Sequence, residues 1–247
     1  MPQNHGGWEM RMNQPRIPRI CSAKPLPAMA VALVLRRPIG HFARRKHNMG
    51  RYTGPKLKLS RRVGVPIADI PKHTARGELV LPGMHGYRGR RNTEYGVRLT
   101  EKQKLRFYYG MLEKQFRRFL DQAKKSKGNT ANSLISMLET RLDNVVRRLG
   151  VANTIWASRQ IVNHGHVKVD GVKTDIASFL VKPGQTITFK DGIHKVLREN
   201  MEQNAGHNLP NWLDWNPSQL TGKVKALPVP EDVPFEVNMN LIIEFYR

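Results

Sequence analysis

The chain has 247 residues, with 42 Lys and Arg against 19 Asp and Glu, a net charge of +23. Such a surplus excludes a neutral or acidic metabolic enzyme as the default and calls for a polyanionic partner, because like charges in a compact body repel one another. A lone cysteine, Cys21, excludes an internal disulfide and a Cys-rich zinc site, and the longest apolar run, 28–35, falls well short of the ~20 residues that span a bilayer.

Residues 1–48 carry nine Lys and Arg, the single acid Glu9, scattered prolines and no sustained period. The segment reads as a basic arm or as sequence upstream of a start at Met49, ahead of a cleaved organellar transit peptide. Residues 49–247 remain strongly basic, with 33 Lys and Arg against 18 Asp and Glu. From 50 to 96 the chain is rich in Gly, Pro, Arg and Lys, and Pro55, Pro66, Pro71 and Pro82 forbid a long helix. Gly83, Gly86 and Gly89 match neither a Rossmann fingerprint nor a phosphate-binding loop, and an extended basic loop is expected there.

A helix is expected to start at Thr100, where Thr100 and Gln103 have capping-box spacing, and to end at 124–128. Leu105, Tyr109, Leu112, Phe116, Phe119 and Ala123 mark its buried face. Lys104, Arg106, Lys114, Arg117 and Arg118 lie largely off it. A second helix is expected over 133–149, with Leu134, Ile135, Leu138, Leu142, Val145, Val146 and Leu149 inward and Gly150 as its stop. A third runs over 154–163. The period then shortens to two. Residues 166–169, the turn Asp170-Gly171, and Val172-Lys173 read as a hairpin, because Asp-Gly suits a type I′ turn. Strands are expected at 179–181 and 186–189 around the turn Lys182-Pro183-Gly184. The tail reads as a helix over 193–203, a Trp- and Pro-rich connection, and a strand over 241–246. Trp212 and Trp215 either stack on bases or, the stronger expectation, anchor the tail on the body.

The block from Arg141-Leu142-Asp143 through Arg159-Gln160 and His164-Gly165-His166-Val167 to Val169-Asp170-Gly171 resembles the small RNA-binding module named after small-ribosomal-subunit protein four. The flanks Arg51-Tyr52-Thr53-Gly54-Pro55-Lys56, Pro82-Gly83-Met84-His85-Gly86 and 109–118, with the ending 241–246, resemble the bacterial family of that ribosomal protein over about 49–247. The resemblance implies an α+β fold, a basic helical N-terminal part with an inserted module of two helices and a small curled antiparallel sheet. It divides the chain into the extension 1–48, a body of 49–132 plus 191–247, and a module of 133–190. It also implies a structural, non-enzymatic constituent of the small ribosomal subunit that binds the 5′ domain of its RNA, nucleates assembly and affects decoding accuracy beside small-subunit protein five. A cytoplasmic ribosome is expected ahead of an organellar one, with no cofactor, membrane or small-molecule substrate. The absence of a Cys cluster matches the zinc-free form of the family. Ile155, Trp156 and Gln185 depart from it.

Arg141, Asn144 and Arg148 are expected on a polar stripe opposite Leu138, Leu142 and Val145, free to meet phosphates, the alternative being a solvated face. Asp143 and Arg147 suit a local ion pair. Thr154 caps the third helix or helps its amides hold a phosphate. His164 and His166 could meet bases or phosphates, with metal binding disfavoured. The full set expected at RNA comprises Arg51, Tyr52, Lys56, Lys58, Arg61, Arg62, His85, Arg88, Arg90, Arg91, Lys104, Arg106, Lys114, Arg117 and Arg118, then Arg141, Asn144, Arg148, Thr154, Arg159, Gln160, Asn163, His164, His166, Lys168, Lys173 and Lys182. No catalytic constellation stands out: Glu113, Glu139 and Asp143 read as ion-pair partners. An RNA-modifying enzyme or aminoacyl-tRNA synthetase borrowing the module would need a catalytic domain for which the chain has no room. A chaperone of stalled large subunits would be much shorter.

Overall fold

The computed structural model describes residues 52–67, 79–88, 93–204, 206 and 208–247, all within the unit Met49–Arg247. The expected arm 1–48 lies outside the described residues.

Lys56–Val63 forms a short helix, α1, in the stretch where prolines forbid a long one. Eight residues fit between Pro55 and Pro66, and Leu59, Val63 and Ile67 bury one side against Phe107. The helix expected from Thr100 to 128 is two helices, α2 (Glu94–Tyr108) and α3 (Glu113–Lys125). Thr93 is the N-cap of α2, its Oγ1 accepting from the Gly96 amide at 3.2 Å. Thr100 sits within the helix, and its hydroxyl donates to the Gly96 carbonyl. The break falls at Gly110, whose φ of +57° only glycine adopts at little cost. The apolar stripe continues across it, so periodicity alone hid the corner.

The helix expected over 133–149 is likewise two, α4 (Thr130–Glu139) and α5 (Leu142–Arg148). Between them Arg141 pairs with Leu180 in an isolated antiparallel bridge. The amides of Leu142 and Asp143 donate to the Phe179 and Ala177 carbonyls, and the Val181 amide donates to Thr140. Donors that open a helix without intrahelical partners are thus satisfied across the chain. The strand expected at 179–181 is that bridge.

Helix α6 (Ile155–Asn163) follows its Thr154 cap as expected. Strands β1 (Val167–Val169) and β2 (Val172–Lys173) flank Asp170 and Gly171, with φ of +48° and +80° as a type I′ turn demands. Strand β3 (Thr186–Phe189) and helix α7 (His194–Gln203) also match the sequence reading. The Trp-rich connection holds an unforeseen hairpin, β4 (Leu213–Asn216) and β5 (Thr221–Val224). The sheet is five-stranded and antiparallel, in the order β2-β1-β3-β5-β4. The final segment is a helix, α8 (Met239–Phe245), rather than the expected strand. A six-residue apolar run has no decisive period, and here Asn238 caps it, accepting from the Leu241 amide.

Two main apolar clusters result. Leu105, Tyr109, Phe116, Leu120, Leu134, Leu138 and Ile242 join α2, α3, α4 and α8. Leu142, Val146, Val162, Val167, Ile187, Leu197, Trp212 and Val224 join α5 and α6 to the sheet and α7. Residues 133–139 therefore contribute to the helical cluster, and the module's sheet runs on into 213–224. Trp212 is buried and Trp215 is half-buried edge-on to Phe189, so both anchor the tail. Among the described residues no helix is long and apolar enough to cross a membrane.

Candidate nucleic-acid interface

The expected polar stripe on α5 is the first correction. Arg141, Asn144 and Arg148 are 2%, 0% and 6% exposed. The corner at Thr140-Arg141 turns them inward, where buried carboxylates meet them. Glu139 accepts from Arg148 Nε and Nη2 at 3.0 and 2.7 Å, from Asn144 Nδ2 at 2.6 Å, and from the Tyr109 hydroxyl. Asp143 accepts from Arg141 at 2.8 and 3.1 Å and from Arg159 at 2.7 and 3.1 Å. Arg159 also donates to the Gly110 and Tyr109 carbonyls at 2.8 and 3.1 Å, tying α6 to the corner between α2 and α3. Its guanidinium is engaged in the fold rather than presented to solvent. Burial works against the charge of Arg148, but the Glu139 charge and hydrogen bond, then Tyr108 and Tyr109, raise its pKa overall. Burial first, and then the Glu139 charge, push the Tyr109 phenol well above its ordinary value. Asp143 thus bridges Arg141 and Arg159, while the Arg147 guanidinium lies 4.4 Å from the Tyr108 ring centroid.

Other side chains expected at RNA are also committed within the protein. Arg61, on α1, donates to the Val80 and Leu81 carbonyls at 2.8 and 3.2 Å. Lys104 pairs with Glu101 at 2.7 Å and Arg106 with Glu113 at 3.3 Å. Glu113 also pairs with the buried Lys102 and accepts from the Tyr246 hydroxyl. Burial opposes its ionisation, yet the hydrogen bonds from Tyr246 and Lys102 and the Lys102 and Arg106 charges lower its pKa. The reading of Glu113, Glu139 and Asp143 as ion-pair partners therefore holds. Lys56 lies 4.5 Å from the centroid of the Trp156 ring, one of the three departures noted above. Thr154 accepts from the Ala157 amide at 3.2 Å, an ordinary cap.

Two basic groups reach solvent on α3 and at the sheet. Lys114, Arg117 and Arg118 line the outer face of α3, with Lys124 and Lys125 at its end. The second lies at the hairpin end of the sheet. His164 and His166 stand edge to face, 6.0 Å apart, after α6. Lys168 and Lys173 are register partners across β1 and β2. Lys190, unforeseen in the sequence, follows Phe189, and its amide donates to the His166 carbonyl. Burial, followed by the His164, Lys190 and Lys173 charges, lowers the His166 pKa, leaving its imidazole neutral near pH 7. The antiparallel register was the signal that could have found Lys190: Val167 pairs with Phe189, so the next residue falls beside His166. Gln160, Asn163 and Lys182 are exposed nearby in sequence, as are Tyr52, Lys58, Arg62, His85 and Arg88 in the N-terminal part. Arg51, Arg90 and Arg91 lie outside the described residues. Among the described residues no group of three or more His, Cys, Asp or Glu could hold a metal ion.

Two helices abutting an antiparallel sheet whose hairpin end carries His164, Lys173 and Lys190 define a class of RNA-binding module. Residues 140–187 match the family model described as S4 domain, and 51–139 match that of the ribosomal protein S4/S9 N-terminal domain. Small ribosomal subunit protein uS4 from Aquifex aeolicus (strain VF5) is 47% identical over 80% of this chain and 99% of its own length. The uS4 proteins of Thermoanaerobacter sp. (strain X514) and Chloroflexus aurantiacus (strain ATCC 29366 / DSM 635 / J-10-fl) are 42% and 45% identical over the same shares. The chain belongs to the uS4 family of small ribosomal subunit proteins, structural constituents of the ribosome rather than enzymes.

Proposed function

We propose that the chain binds the 5′ domain of small-subunit ribosomal RNA in the cytoplasmic ribosome, nucleates assembly of the subunit body, and affects decoding accuracy together with small-subunit protein five. The observation that carries the RNA reading is the cluster of exposed His164, Lys173 and Lys190 around half-buried His166 and Lys168 at one end of the sheet. The lysines supply the positive charge and the neutral His166 imidazole a hydrogen-bonding ring beside them, and A-form RNA is recognised chiefly by shape and backbone. Exposed Lys114, Arg117 and Arg118 on α3, with Tyr52, Lys58, Arg62, His85, Arg88, Gln160, Asn163 and Lys182, are assigned to RNA in the same proposal. The division proposed is a body of 49–132 plus 191–247 and a module of 133–190, with 133–139 packing in the helical cluster and strands from 213–224 extending the module's sheet.

Filter binding of the full chain to a 5′-domain transcript, against an equally long transcript of another domain, tests this. Tighter binding to the 5′ domain, weakened when Lys168, Lys173 and Lys190 become Gln, is expected. Equal affinity for both transcripts would overturn it. Subunit reconstitution with and without the protein tests nucleation, and a misreading reporter tests accuracy.

A further inference from the structure

The loop 79–88 holds its shape without burying its large side chains. Arg61 clamps it through the Val80 and Leu81 carbonyls at 2.8 and 3.2 Å. The Gly86 amide bonds back to Gly83 and the Arg88 amide to His85, closing a single 3-10 turn. Gly86 is packed so closely that a Cβ there would lie 2.0 Å from the Leu81 carbonyl oxygen. Yet Tyr87 is 71% exposed and Met84 87% exposed. The Arg88 guanidinium lies 5.8 Å from the centroid of the Tyr87 ring, and the His85 ring stands edge-on at 6.4 Å. Folding gains almost nothing from an aromatic ring left in water on a clamped turn. Such a ring is, however, a ready platform for a planar, electron-rich group beside a cation.

We propose that Tyr87, steadied by Arg88 and His85, is a stacking site for an unpaired RNA base. The inference rests on the RNA-binding reading above and deepens it, adding a base contact to what is otherwise a phosphate surface. The occupant follows from the setting. The chain carries +23, which selects a polyanion, and an exposed ring next to a guanidinium accepts a nucleobase of any identity by its π-face. Base-paired RNA presents no free face, so the partner is a looped-out or bulged nucleotide.

The test uses the full chain and the 5′-domain transcript, with wild type, Tyr87→Phe and Tyr87→Ala compared by filter binding and by base-specific chemical modification. Wild type and Tyr87→Phe should bind alike and protect the same unpaired base. Tyr87→Ala should bind about 5- to 100-fold more weakly, as removal of one stacked base implies, and should leave that base alone unprotected. Unchanged melting of Tyr87→Ala is expected from its exposure. Wild-type affinity and full protection for Tyr87→Ala would overturn the stacking site while leaving RNA binding intact. Equal weakening in Tyr87→Phe and Tyr87→Ala would overturn it too, by assigning the interaction to the hydroxyl. A wild-type chain that does not bind the transcript would overturn both readings.

Discussion

Buried carboxylates separate the basic side chains of this protein into two kinds. Glu139 and Asp143 hold Arg148, Arg141 and Arg159 inside the fold, whereas half-buried Lys168 and exposed Lys173 stand side by side on the hairpin. Replacing both Arg141 and Arg148 by Gln should therefore unfold most of the protein. Removing one member of a buried pair costs about 3–5 kcal/mol, against a total of roughly 5–15. Replacing Lys168 and Lys173 by Gln should change stability by no more than about 0.5 kcal/mol, while each charged hydrogen bond to RNA that is removed should cost about 1.5–3 kcal/mol of affinity. Chemical denaturation and filter binding of both variants would show the contrast. A stable, weakly binding Arg141/Arg148 variant would return those side chains to the RNA face. Glu113 adds a pH dependence. Its folded pKa lies below the ordinary 4.5, so the unfolded chain takes up the proton first as pH falls. The stability it contributes is complete above about 4.5 and is lost as pH drops through the depressed value. The urea midpoint should fall over that window, and Glu113→Gln should flatten the fall.

At the level of elements, the sequence was legible wherever local chemistry fixed the backbone. Asp170-Gly171 announced its turn, Thr154 its helix, and the stripes 134–149 and 105–123 their buried faces, save at Leu112, which caps the helix after the corner and is 39% exposed. It was opaque where long-range packing decided. Nothing local distinguishes a continuous helix from two helices sharing one stripe, so the corners at Gly110 and Thr140-Arg141 went unseen. With the second corner went the true direction of Arg141, Asn144 and Arg148. Strands β4 and β5 carry Asp214, Asn216, Gly222 and Lys223, poor strand formers that pair because β3 offers an open edge. The start of α2 gives a direct check. Thr93→Ala should cost about 1 kcal/mol by removing the cap, while Thr100→Ala, inside the helix, should leave stability within about 0.5 kcal/mol. Thermal melts of the two variants would decide between the capping positions. Equal destabilisation would mean that the helix begins later than Thr93.

Across the whole molecule, charge dominates the expected behaviour. With 33 basic and 18 acidic residues over 49–247, binding to small-subunit RNA should weaken steeply with salt. Each phosphate neutralised should add about −0.7 to −0.9 to the slope of log affinity against log salt. An affinity that did not change with salt would remove phosphate neutralisation as the source of binding. Part of the basic surface was readable from motif order, because exposed His164 and Lys173 and half-buried His166 and Lys168 fall within or beside the block that carries the resemblance. The rest was hidden by pairings between groups apart in sequence, as between Glu139 and Arg148 or Glu113 and Tyr246.

The tail has a consequence for how the chain is made. Ile242 on α8 is fully buried among helices that begin at Glu94, and β5 covers the free edge of β3 only once residue 224 exists. A protein synthesised from its N-terminus therefore holds the sheet cluster unfinished until residue 224, and the helical cluster until 239–245, leave the exit tunnel. Nascent chains that stall before residue 239 should be cut rapidly by a protease that spares the full-length product, because α8 is missing from the helical cluster. Incomplete copies would then be destroyed before they could occupy a site on RNA meant for finished ones.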